Sequence, residues 1–81
     1  MSTVIQALGC RFQINSDDHG TPHCHVVGHG AQLKVSLASF EVLGTTRFSE
    51  RDAKRLIEIV KCYQVELWNK WEEYHGEKEE I

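Results

Sequence analysis

The chain has 81 residues, enough for one small domain with a thin core, and this length excludes a deep, enclosed substrate cavity. Its charged fraction of 26%, its hydrophobic fraction of 41% and its single proline exclude a disordered chain. The formal net charge of −3 excludes a protein that attracts nucleic acid by its overall charge. Residues 1–47, however, carry equal numbers of basic and acidic side chains, so a local basic patch is possible there.

No export or membrane signal is visible in the sequence. The first residues lack a basic segment followed by an apolar one, and no run of about 18 apolar residues occurs. The three cysteines are an odd number, unlike the paired cysteines that staple small secreted domains. We therefore expect a cytoplasmic protein with reduced thiols and no membrane segment.

The first half of the chain has the pattern of short antiparallel strands. Leu8-Gly9 suits a tight hairpin, because glycine adopts a positive φ without strain. A turn-rich segment at 15–22 predicts a loop, and residues 38–47 suit either a short edge strand or a packed turn. Strands are expected at residues 4–7, 10–14, 23–27 and 32–37.

The second half predicts one long amphipathic helix. Ser49 is a good N-cap, Phe48 can pack against Ala53, and Gly76 supplies a stop, with a break near Gln64 as the alternative to an unbroken helix. The predicted fold class is α+β: a small antiparallel sheet of three to five strands in meander order, with one long C-terminal α-helix packed on one face. We expect one domain over residues 1–76 and an acidic, frayed tail at 77–81. Apolar residues recur at helical spacing: Ala53, Leu56, Ile57, Val60, Tyr63, Leu67, Trp68, Trp71 and Tyr74.

A helix of this length should extend beyond its own sheet. Residues 50–75 would form about 39 Å of helix, whereas four strands span roughly 20 Å. The end that extends carries Trp68, Trp71 and Tyr74, which predicts an interface with a partner protein or a second copy of the chain. The alternative is that residues 38–47 fold over these rings as core.

Four of the five histidines fall between residues 19 and 29. In a strand, His23 and His25 point to the same face, and we expect that face to be the one left open by the helix. Two imidazoles can act as acid and base near neutral pH, with Arg11 or Lys34 holding a phosphate, which is the minimum needed for metal-independent RNA cleavage. The hypothesis names His23, His25 and His19 as catalytic candidates.

Two other interpretations of the histidines stay open. His23 and His25 could bind zinc or another divalent metal, with His19, or else His29 or an aspartate of the loop, as a third ligand. If no metal binds there, the sequence implies no cofactor. Alternatively, the imidazoles only satisfy backbone groups of the preceding loop. On the predicted helix, Arg51 and Arg55 are further candidates for phosphate contact, although a solvated helix face explains them as well.

The segment His19-Gly20-Thr21-Pro22-His23-Cys24-His25-Val26 and the Leu67-Trp68 to Gly76 ending resemble the bacterial family of domains of unknown function 4160 over residues 2–76. Thr21 and Cys24 depart from the usual residues of that family. The resemblance implies a neighbouring small protein, in an arrangement interpreted as a type II toxin–antitoxin pair. It implies no catalytic residues.

Three functional hypotheses follow. The first is a toxin-like protein that acts on RNA through the open sheet face and has an antitoxin-like partner. The second is a non-catalytic module that binds this partner or regulates the pair. The third is a metal-binding protein that uses the histidine cluster.

Overall fold

The computed structural model describes residues 2–15 and 21–75. Four strands form one antiparallel sheet in the order β1-β2-β3-β4, and two consecutive helices follow. The α+β class and the meander are therefore confirmed. The elements are β1 (Ser2–Ala7), β2 (Cys10–Ile14), β3 (His23–Gly28), β4 (Ala31–Ser36), α1 (Glu50–Cys62) and α2 (Gln64–His75).

Two-residue turns join the outer strand pairs. Leu8 and Gly9 have φ of 54° and 75°, and His29 and Gly30 have φ of 51° and 73°. Positive φ at both central residues is the hairpin conformation that matches the right-handed twist of strands. The hairpin predicted at Leu8-Gly9 is thus confirmed.

The two turns contact each other at one end of the sheet. Nε2 of His29 lies 3.1 Å from the carbonyl oxygen of Leu8, and because a carbonyl only accepts, the imidazole donates. A Cβ at Gly28 would lie 2.7 Å from the carbonyl oxygen of Gly9 and 2.8 Å from Sγ of Cys10, so only glycine fits there. These contacts fix the position of the His29 turn relative to the first hairpin.

The helices cover one face of the sheet. Along β4, Leu33 and Val35 are buried while Gln32 and Lys34 are exposed, and the register aligns Phe12 with Val26 on the buried side. This alternation is the pattern of a sheet with one solvated face. The core consists of Cys10, Phe12, Ile14, Cys24, Val26, Leu33, Val35, Leu37, Ala53, Leu56, Val60, Leu67 and Trp71.

The predicted single helix is wrong in one respect, because the structure has two helices that meet at Tyr63, which agrees with the alternative of a break near Gln64. The predicted cap is present, since Oγ of Ser49 accepts a bond from the Asp52 amide at 3.1 Å. Tyr63 has φ −111° and ψ 24°, outside the helical range, yet Leu67 still donates to its carbonyl at 3.0 Å. Nε2 of Gln64 donates to the Leu37 carbonyl at 2.7 Å, which ties this break to the end of β4.

The segment after β4 was predicted to be either a short edge strand or a packed turn, and it has features of both. A turn forms first, with the Phe40 amide donating to the Ser36 carbonyl at 2.9 Å. The chain then runs back along β4, where Val42 forms an isolated bridge with Val35. The segment does not supply a full fifth strand.

The described residues include neither a disulfide nor a membrane-spanning helix. Cys10 and Cys24 are buried free thiols, and Cys62 is an exposed one. Burial raises the pKa of the Cys24 thiol to about 12. Neither α1 nor α2 combines the length and apolar character needed to cross a bilayer.

We predict that Trp71→Ala lowers the free energy of unfolding by about 3–5 kcal/mol, because Trp71 is 6% exposed and belongs to the core. Trp68→Ala removes the same side chain from a half-buried position and should have a distinctly smaller effect. Urea denaturation measures both variants, with Trp71→Phe as an intermediate step if Trp71→Ala does not fold. An equal or larger effect of Trp68→Ala would contradict this assignment.

Candidate functional site

Two cross-strand rows of mostly polar side chains lie on the face of the sheet opposite the core. In the first row, Gln13 pairs with His25, and His25 pairs with Lys34. In the second row, the apolar Val27 pairs with Arg11 on one side and with Gln32 on the other. Directly opposite residues have Cβ atoms about 5 Å apart, so the His25 imidazole lies between the side chains of Gln13 and Lys34.

This face is positively charged although the protein is not. The strands β1 to β4 contain Arg11 and Lys34 and no aspartate or glutamate. Asp17 and Asp18 lie outside the described residues, and the first described acidic residue is Glu41. The face formed by Arg11, His25 and Lys34, called the basic face below, therefore favours anions.

A wide cleft of about 770 Å³ adjoins the basic face at Arg11. Its other side is the segment that precedes α1, where Arg47 supplies a second cation. Oγ1 of Thr46 donates to the Gln32 carbonyl, which holds this segment against β4. Sequence reasoning missed Arg47, because only the return of the chain along β4 places it in the same cleft as Arg11.

The structure separates His23 from His25 in exposure. The two rings are adjacent, with centroids 5.1 Å apart, as their shared strand predicts. His23, however, is 5% exposed, whereas His25 is half-buried. The expectation that His23 lies open to solvent is thus wrong: its Nδ1 donates to the Thr21 carbonyl at 2.7 Å, and its ring packs 5.2 Å from the Trp71 ring.

His75 completes this stack of rings. Its centroid lies 4.1 Å from that of Trp71, which is therefore flanked by two imidazoles. Sequence reasoning missed His75, although its position four residues after Trp71 places both on one helix face. The imidazoles of His23 and His75 pack against Trp71, which is 6% exposed within this chain alone.

The apolar residues exposed on the helices are not the three that were predicted to form a partner interface. Trp71 is core, and Trp68 and Tyr74 are half-buried and pack against the core. The exposed apolar residues near the helix break are Tyr63, at 41%, and Val65, at 66%. Val65 and Trp68 line a shallow groove together with Gln64 and Asn69.

The four basic side chains proposed for phosphate contact lie on two different surfaces of the domain. Arg51 and Arg55 lie on α1, and Arg55 lines a separate, smaller cleft of about 230 Å³ with Cys10 and Asp52. Desolvation by burial raises the pKa of the Cys10 thiol, and the Asp52 carboxylate raises it further. Arg11 and Lys34, in contrast, both belong to the basic face.

The proposed metal site is only partly within the described residues. His23 and His25 are neighbours, but His19 lies in segment 16–20, outside the described ranges. Among residues 2–15 and 21–75, no group of three or more histidine, cysteine or acidic side chains is arranged to hold a metal ion. The described part of the site offers two imidazoles, and a metal centre generally needs three or four protein ligands.

Comparison with known proteins identifies the family. Neither the curated proteins nor the solved structures include a significant match to this chain. The family model described as "Domain of unknown function (DUF4160)" matches residues 9–72, which include β2, β3, β4 and most of the two helices. The chain therefore belongs to the DUF4160 family.

Proposed function

We propose that this chain binds RNA on its basic face, as the toxin-like component of a two-gene toxin–antitoxin module. The observation that carries the proposal is the absence of acidic residues from all four strands, combined with Arg11 and Lys34 on the solvated face. The phosphate backbone supplies most of the affinity of proteins for nucleic acids, through contacts with such cations.

The half-buried His25 favours a single-stranded RNA over a duplex. Unstacked bases in single strands can pack on aromatic side chains, including imidazole, while neighbouring cations contact the phosphates. His25 lies between Gln13 and Lys34. Gln13 is 9% exposed and its Nε2 donates to Oγ1 of Thr3, so the exposed Lys34 is the neighbour of His25 that can contact a phosphate. The cleft at Arg11 and Arg47 extends this surface, so that a strand of several nucleotides can lie along it.

RNA binding is supported better than cleavage by a pair of histidines. An acid or base must come within hydrogen-bonding reach of the atom it serves. His23 is 5% exposed and covered by Trp71, so only His25 of the two is placed to meet a bound strand. We assign His23 the role of positioning the His25 ring, with which it makes an edge contact.

We predict that binding to a fluorescent single-stranded RNA weakens with salt through the cations of the basic face. Each phosphate contact contributes about −0.7 to the slope of log Kobs against log salt concentration for single strands. Arg11→Gln or Lys34→Gln should each lower the steepness by about 0.7, measured by fluorescence anisotropy.

The matched control is Lys54→Gln, which removes the same charge from an exposed position on α1. It should leave the slope unchanged. Equal effects of Lys54→Gln and Lys34→Gln would mean that binding follows overall charge and that the basic face is not the binding surface.

The toxin-like role predicts that expression of the chain alone inhibits growth and that co-expression of the neighbouring gene relieves the inhibition. His25→Ala should remove the inhibition, because His25 is the ring on the basic face that can meet RNA. Growth curves and the integrity of total RNA are the measurements, and circular dichroism verifies the fold of the variant. Full inhibition by a folded His25→Ala variant would rule out this role for His25, and intact RNA during inhibition would indicate binding without cleavage.

A second candidate function, a partner-binding module, is favoured by the exposure of Val65 at 66% beside the half-buried Trp68. Large apolar side chains at such exposure are typical of association surfaces when they are clustered. The proposed occupant is the small protein encoded nearby, with a second copy of the chain as the other outcome of the test.

We predict that Val65→Lys abolishes co-purification with the neighbouring gene product, because a charge would then lie in the groove at Trp68. Val42→Lys makes the same substitution at another exposed valine, which does not line the groove, and should have no effect. Light scattering of the chain alone separates the two occupants, since only self-association changes its mass. Undiminished co-purification of Val65→Lys would exclude this surface.

A further inference from the structure

The smaller cleft lies between the first hairpin turn and the start of α1. Leu8, Phe48 and Leu56 form its apolar walls, and the buried Cys10 also contributes to its lining. The polar lining residues are His29, Asp52 and Arg55. At about 230 Å³, this cleft has room for a planar heterocycle rather than for a protein segment.

His29 is a wall shared by the smaller cleft and the wide cleft. Its φ of 51° is unusual for a residue other than glycine, and the turn holds it there. The bond from Nε2 to the Leu8 carbonyl fixes the ring, and a Cβ on Gly9 would lie 2.7 Å from that nitrogen. A strand lying in the wide cleft therefore passes next to the opening of the smaller one.

The polar groups of the smaller cleft can match the donors and acceptors along two adjacent edges of guanine. Asp52 and Arg55 are three residues apart on α1, and neither forms a salt bridge with another described residue. A carboxylate accepts two N–H bonds side by side, and a guanidinium donates two. Guanine presents two donors on its Watson–Crick edge and the acceptors O6 and N7 on the adjacent edge.

We propose that the smaller cleft is a guanine subsite of the RNA-binding surface, an inference that rests on the proposed function. The base lies against Phe48 and Leu56, the Asp52 carboxylate accepts from N1–H and the exocyclic amine, and Arg55 donates to O6 and N7. Adenine places an amine where guanine has O6, opposite the guanidinium, and is disfavoured because two donors then face each other.

The test compares three single-stranded nonamers by fluorescence anisotropy: all uridine, and uridine with one central guanosine or adenosine. The wild-type chain should bind the guanosine oligomer at least about fivefold more tightly than the adenosine oligomer. Asp52→Asn and Arg55→Gln should lose this preference, and the readout is the ratio of the affinities for the guanosine and adenosine oligomers, which a general loss of charge does not change. Lys54→Gln, between them on the same helix, should retain the preference.

The outcomes separate this inference from the proposed function. Binding of all three oligomers with equal affinity would overturn the guanine subsite and leave RNA binding in place. A titration with guanosine itself, followed by amide NMR shifts of residues lining the smaller cleft, tests the subsite without any phosphate contact. Shifts in the wild type that disappear in Asp52→Asn would support the subsite even if the oligomers failed to bind, and an absence of shifts in the wild type would overturn it.

Discussion

Burial of one sheet face under α1 and α2 is the constraint on which the other features of this chain depend. Side chains alternate between the two faces of a strand, so the placement of Phe12 and Val26 in the core leaves their neighbours on the solvated side. The basic face arises in this way, because Arg11 and His25 each adjoin a core residue in the chain. Its charge results from strand composition, since acidic residues are absent from all four strands.

At the end of the sheet where His23 lies, imidazole rings form part of the packing around the core. A domain of this size buries a limited apolar surface, and Trp71 is one of the largest side chains in its core. Two imidazoles pack against it, with centroid distances of 5.2 and 4.1 Å. His23 is therefore part of the packing at this end, and its neighbour His25 retains access to the solvated face.

The wide cleft and the smaller cleft both lie at the opposite end of the sheet. Both hairpin turns lie there, joined by the bond from His29 to Leu8, and the segment after β4 returns to the same region. The close approach of Gly28 to Gly9 and Cys10 allows this arrangement. The result is a surface with a cationic cleft on one side of His29 and a partly apolar cleft on the other.

The sequence by itself determined the strand pattern, the first hairpin, the Ser49 cap and the shared face of His23 and His25, because each depends on local periodicity or on one residue's conformational preference. Only the tertiary structure decided that Trp71 is core and that Arg47 joins Arg11, since both depend on contacts between residues distant in the chain. The sequence left open whether the helix breaks near Gln64, and the tertiary structure decided it: the bond from Gln64 to Leu37 ties the helix to the sheet, and helical periodicity carries no information about such a contact.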